Sequence, residues 1–298
     1  MPRLSLLPVM AREILGPRDF PREPEPALVM DDPAQVAAYS DAGRVDGTMA
    51  AGYLFNTAHI SQVIQGCRTI LDLGCGPATQ LAQVAQLNPE AHFTGVDLSP
   101  AMLQSARAHL SAMGIGNVAL READITRLDG IADRSMDAVV STLTLHHLRS
   151  HADLEACFRS VARVLRPGGS LYLVDFGRLK SLRSVLFFAY MNAAHQPHIF
   201  SLDYERSLRA AFLHEDLGQA AAAHLPAQAR VFSTFKVPFL VLIKTPSQPL
   251  AASQRAQLAA QRAALPARYR RDLDELRLFF RLGGLDCDPF SAAGEPAF

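Results

Sequence analysis

The sequence predicts a doubly wound α/β domain with a mostly parallel sheet, and three observations carry that prediction. From Thr69 to Thr245, short β-branched or leucine-rich runs alternate with stretches of helical period. Such alternation implies βαβ units, because a parallel strand can be reached only by a crossover. At the end of the first run stands "ILDLGCGPATQ", residues 70–80, where a strand enters a turn at Gly74-x-Gly76 and glycine reaches positive φ without a Cβ clash. The 298 residues are 49% hydrophobic and 19% charged, the composition of a globular chain long enough for one large domain with appendages.

Taken in order, residues 1–65 read as an N-terminal arm and helical lid. Six prolines fall in residues 1–30, so that stretch is expected to have little regular structure of its own. "MPRLSLLPVMAREIL" is broken by Pro8 and Arg12 with no small-residue cleavage site after it, and is not read as a signal peptide. "DDPAQVAAYSDAG" opens with an Asp-Pro helix start, aspartate capping the free amides and proline tolerated in the first turn. Helix is expected over roughly 33–65.

Residues 66–176 form the predicted ligand-binding core, with strands at 69–73, 92–96, 117–121, 136–141 and 170–175 and helices at 79–87, 100–112 and 153–165. Residues 177–228 are too long for a simple link and read as a helical insertion covering a site. "ARVFSTFKVPFLVLIKT", 229–245, reads as two strands around a Lys-Val-Pro turn, an antiparallel edge pair that brings the sheet to seven strands. The remainder, 246–298, is a helical extension in which "ARYRRDLDELRLFFRL" is amphipathic.

Charge and cysteine usage narrow the function. Lys+Arg and Asp+Glu are both 29, so there is no long-range field of the kind that gathers DNA. Arg268, Arg270 and Arg271 are followed at once by Asp272, Asp274 and Glu275, as on a solvated helix face with internal ion pairs. The four cysteines are scattered, without Cys-x-x-Cys or Cys/His clustering; free thiols, no metal and a reducing, cytoplasmic setting are expected. No window offers the ~18 apolar residues of a membrane span, so membrane insertion is not expected. Oligomeric state is not legible.

The flanks of the glycine loop define its ligand. In "FTGVDLSPAML" a strand ends at Asp97, about twenty residues past the glycines, where a doubly wound fold places an acid on ribose hydroxyls. Asp72, just before the loop, would repel a pyrophosphate but welcome a ligand bearing an ammonium and a sulfonium. "READI" supplies Asp124 to accept from an exocyclic amine and Ile125 to cover a ring face. "MDAVVSTLTLHHL" reads as the fourth strand and its exit, and "VLRPGGSLYLVDF" as a helix end, a turn and the fifth strand.

In order and spacing, "DLGCGPAT", "VDLSPAML", "ADI", "LTLHHL" and "LRPGG" resemble the class I S-adenosylmethionine-dependent methyltransferases. The wording is similar to the small-molecule enzymes of the ubiquinone/menaquinone-biosynthesis and natural-product type. The resemblance implies a Rossmann-like fold and S-adenosylmethionine as cofactor. It also implies Asp72 near the methionine amino group, Gly74 and Gly76 against the cofactor, Asp97 on the ribose, Leu98 and Met102 beside the adenine, and Asp124 and Ile125 at its edge. Ala78 and Thr79 stand where family members often have glycine, leaving the Thr79 hydroxyl for the carboxylate; Ser141, closing the fourth strand, is counted with the cofactor contacts. The Asn/Asp-Pro-Pro-Tyr/Phe motif of enzymes that methylate exocyclic or amide nitrogens is absent.

Methyl transfer is in-line displacement at an already activated carbon, so the protein chiefly aligns two partners in a dry pocket. His146 and His147 end the fourth strand, at the sheet edge where such folds bind ligands. They read either as a base for a protonated acceptor or as ring nitrogens bonding loop backbone. Tyr53, Tyr190, His195, His198 and Tyr204 are the acceptor-pocket candidates, with Asp203 beside them and Tyr39 in the lid. The expected reaction is methyl transfer to O, C or N of a small or medium organic acceptor. A peptide or RNA acceptor, or a cofactor-binding partner subunit without turnover, are the alternatives.

Overall fold

A computed structural model describes residues 4–26, 33–42 and 47–291. Its centre is β1 (Thr69–Leu73), whose Ile70, Leu71 and Leu73 are completely buried because helices cover both faces of a parallel sheet. β2 (His92–Asp97) and β3 (Val118–Glu122) extend the sheet in parallel on one side of β1. β4 (Met136–Thr142) and β5 (Leu165–Phe176) extend it in parallel on the other. The antiparallel pair β6 (Arg230–Ser233) and β7 (Leu240–Lys244) completes the order β3-β2-β1-β4-β5-β7-β6. This is the seven-stranded, mostly parallel, Rossmann-like sheet expected. Strand order reverses between β1 and β4, and their carboxyl ends open a crevice there.

β5 begins at Leu165, five residues before the expected start. Leu165 pairs with Met136, the ladder slips, and register resumes at Ser170 opposite Ala138; Gly168, at φ +75°, lets the chain bulge there. The crossover helices fall where helical period placed them: α4 (Thr79–Leu87), α5 (Pro100–Ala112) and α6 (His151–Val164). Ser99 caps α5 by accepting from the Met102 amide at 3.1 Å, and Ser150 and Asp153 close a reciprocal capping box on α6.

The N-terminal stretch differs from expectation. Leu7–Leu15 form helix α1, Pro8 being tolerated in the first turn, where its missing N–H costs nothing. Leu6 and Val9 bury themselves in the cluster that holds Phe176, Val185 and Phe188, and this burial supplies the helix with what its local sequence lacks. Residues 17–26 then cross the molecule as an extended strap. Helical structure continues in α2 (Pro33–Ala42) and α3 (Ala50–Val63). The Tyr39 side chain lies outside the described residues.

The insertion is helical as expected: α7 (Leu182–Tyr190), α8 (His198–Ala210) and α9 (His214–His224). In the C-terminal extension, α10 (Ala252–Ala264) and α11 (Ala267–Leu282) pack over α3, with the Phe55 and Phe280 rings stacked 5.2 Å apart. Asp274 pairs with Arg262 and Arg277, while Arg268 lies over the Tyr269 ring. Among the described residues, no helix is long and apolar enough to cross a membrane.

Candidate active site

At the switch point, one cavity of about 570 Å³ runs from the glycine loop to the helical insertion. Gly74 has φ +63°, and a Cβ there would stand 2.1 Å from Thr144 Cγ2, so the position admits no side chain. Thr144 locks this approach by donating to the Leu73 or Gly74 carbonyl, each at 3.2 Å. Leu143 itself takes φ +55°, which costs an ordinary side chain roughly 1–2 kcal/mol. That twist turns the chain after β4 so that Thr144, His146 and His147 all border the cavity.

Two carboxylates stand beside the loop. Asp97 Oδ2 accepts from the Gly76 amide at 2.8 Å and Oδ1 from the Ser99 amide at 2.9 Å, fixing the side chain at the cavity wall with lone pairs to spare. Burial raises its pKa, while those amides pull it back. Asp72 lies buried behind it, outside the cavity lining; burial, then the like charge of Asp97, pushes its pKa up to about 8. A cationic group entering here would relieve both carboxylates.

Leu98, Met102, Asp124 and Ile125 line the same end of the cavity. Asp124 Oδ1 accepts from the Thr126 amide and hydroxyl at 2.8 and 2.7 Å, which orients the carboxylate and leaves Oδ2 for a ligand. Ser141 and Thr79 are not in the lining. Ser141 is fully buried and donates to the Leu73 carbonyl at 3.0 Å, tying β4 to β1. Thr79 is buried at the start of α4, just after Ala78, which takes a left-handed φ of +60°.

The opposite, polar end is built on His146. Its Nδ1 lies 2.7 Å from Asp175 Oδ1, in a fully buried pair at the ends of β4 and β5. Asp175 is held by the amides of Leu145, His146 and Phe176. Burial alone would lower the His146 pKa, but Asp175 overrides it and the net shift is upward. His147 Nδ1 lies 2.8 Å from Glu25 Oε2, and Ser207 donates to the other Glu25 oxygen at 2.9 Å. Despite burial, the hydrogen bond and charge of His147 hold Glu25 down to about 2. Asp203 borders this group, its pKa pushed up to about 6 by burial and by Glu25.

The insertion contributes one helical face. Phe200, Asp203, Tyr204 and Ser207 of α8 line the cavity at the spacing of a single helix side. His198 is out of phase with that face and exposed, and His195 sits exposed in the short turn before α8. Tyr190 donates to Glu205 Oε2 at 2.9 Å outside the lining. Tyr53 and Tyr204 do line it. Sequence reasoning missed Glu25, Asp175 and Thr144. An acid closing the otherwise apolar run "LYLVDF" was the available signal for Asp175; Glu25 carries none.

A glycine loop and a strand-end carboxylate at the switch point of a doubly wound sheet define a nucleoside-cofactor domain. Residues 70–169 match the family described as "Methyltransferase domain", and the chain carries a class I S-adenosylmethionine-dependent methyltransferase domain. It is 32% identical over 146 residues to an arsenite methyltransferase of Halobacterium salinarum, covering 49% of this chain and 34% of that protein. To a carboxy-S-adenosyl-L-methionine synthase of Aeromonas salmonicida it is 36% identical over 143 residues, 47% of this chain and 52% of the other. The chain thus spans about a third to a half of such relatives. A plantazolicin methyltransferase solved with SAH shares the fold, with a TM-score of 0.54 at 16% identity over 79% of this chain and 87% of that one.

Proposed function

We propose that the protein transfers the methyl group of S-adenosylmethionine to a small or medium organic acceptor, at an oxygen, carbon or nitrogen. One observation carries this reading: the glycine loop with Asp97 and the histidine–carboxylate group border a single continuous cavity of about 570 Å³, within the range of ligand pockets. Cofactor and acceptor would meet there without crossing solvent. Relatives named for arsenite and trans-aconitate methylation support a small acceptor.

In this reading Asp97 accepts from the ribose hydroxyls and Asp124 Oδ2 from the adenine amine, while the charge of the methionine ammonium in the cavity acts on Asp72 from beyond the wall and draws its proton off. Leu98, Met102 and Ile125 enclose the adenine. Phe176, Phe239 and Tyr204, whose rings pack at 5.3 to 6.5 Å, form the acceptor wall and keep water from the sulfonium. His146, aimed by Asp175, and His147 receive the polar end of the acceptor. The four cysteines are free thiols, which supports a reducing, cytoplasmic setting.

Isothermal titration with S-adenosylmethionine and S-adenosylhomocysteine, with NAD as control, tests the reading. Micromolar binding of the first two and none of NAD is expected. Binding of neither would sink it.

A further inference from the structure

We infer that Glu25, His146 and His147 form a binding site for a divalent first-row transition ion at the polar end of the cavity. One carboxylate oxygen and one nitrogen from each imidazole lie within 4.8 Å of one another. An ion holding such atoms at about 2.0–2.2 Å sets them roughly 3 Å apart. The pairs to be adjusted stand at 2.8 Å (His147 Nδ1 to Glu25 Oε2) and 4.0 Å (His146 Nε2 to Glu25 Oε1). The third pair, between the two imidazoles, lies within 4.8 Å, so closure takes side-chain movements of about 1–2 Å at neighbouring residues.

The surroundings are those of a built site. A metal-bound imidazole ordinarily gives its other N–H to a carboxylate, which sets its tautomer and aim. His146 does this with Asp175 at 2.7 Å, turning Nε2 toward Glu25, and Asp175 is itself held by three backbone amides. Ser207 steadies Glu25 in the same way from α8. A simple ion pair pinning the strap would need His147 and Glu25 alone; it leaves unexplained why a second, buried histidine is aimed at the same carboxylate. Two imidazoles, one carboxylate and no thiolate suit zinc, ferrous, manganous or cobaltous ions and leave coordination positions open. His146 and His147 border the cavity, as do Asp203 and Ser207, the latter bonded to Glu25. This role rests on the methyl-transfer reading, in which the open positions take an acceptor oxygen and ease loss of its proton.

The test is titration of Co²⁺ into the full chain, followed by visible absorption and equilibrium dialysis, with Zn²⁺ as competitor. One ion per chain is expected, with a cobalt spectrum that Zn²⁺ bleaches. Glu25→Gln and His147→Ala should abolish the spectrum, and Asp175→Asn should weaken binding by about 10–100-fold, the usual cost of losing such an outer partner. Exposed His195→Ala should change nothing. No stoichiometric uptake by the wild-type chain overturns the proposal, whatever the variants do. So does uptake that persists in Glu25→Gln and His147→Ala variants that melt like the wild type. Parallel titration with S-adenosylmethionine separates the two readings: cofactor binding without metal uptake sinks this site alone, and metal uptake without cofactor binding sinks methyl transfer alone.

Discussion

Asp72 and Asp97 show how a binding site stores unfavourable electrostatics until its ligand arrives. Asp72 is buried and Asp97 half-buried beside it, and Asp72 is raised to about 8 from an ordinary value near 4. Between those limits the folded chain holds a proton that the unfolded chain has released, so stability falls as pH rises toward 8. The ligand-free protein should accordingly melt at lower temperature at pH 8.5 than at pH 6. Asp72→Asn, neutral at every pH and similar in shape, should flatten that decline. A scanning-calorimetry series across this range checks it, and an unchanged slope in the variant would place the pH sensitivity elsewhere. In the folded chain Asp72 can be charged cheaply only when a cation is beside it, which fits a cofactor bearing an ammonium.

At the scale of elements, the strap of residues 17–26 holds more than its composition suggests. Arg22 lies 3.8 Å over the Phe212 ring and donates to the carbonyls of Ala210, Arg149, His146 and Leu148. These acceptors belong to the chain leaving β4 and to the end of α8. One guanidinium therefore fastens the strap across both, and its fork has no equivalent in lysine. Neighbouring contacts continue the seam: Glu23 pairs with Arg209 at 2.9 Å, and the Glu25 bonds follow. Arg22→Ala should cost about 1.5–3 kcal/mol of stability, the range for charged hydrogen bonds, with partial exposure holding it toward the lower end. Urea unfolding measures that loss. Limited proteolysis should show cleavage within 17–26 well before the core is cut; a strap as resistant as the wild type would mean that Glu23 and Glu25 suffice to hold it.

Across the whole molecule, what the sequence disclosed and what it withheld divide along contact range. The sheet, the glycine loop, Asp97 and Asp124 were legible because each carries a local signature: an alternating period, a positive φ, a strand end, an Asx-type turn at Asp124–Thr126. Helix α1 was not, since its stability comes from burial of Leu6 and Val9 against residues of β5 and α7. Glu25 was not legible either, its partner His147 lying 122 positions away. His195 and His198 misled because aromatic density in a segment does not reveal which helix face turns inward. Those long-range contacts also make the cavity a meeting point for distant segments, with Val9, Tyr53, Gly74, Tyr204, Phe239 and Phe279 all in its lining. A ligand filling it touches nearly every layer of the fold, so its binding free energy should be distributed over all of them. S-adenosylmethionine at a hundred times its dissociation constant should raise unfolding stability by about 2.7 kcal/mol. Hydrogen exchange should then slow in α3, α8 and α11 as well as around the glycine loop. Protection confined to residues 66–176 would show instead that the cofactor uses the core alone and that insertion and termini answer to the acceptor.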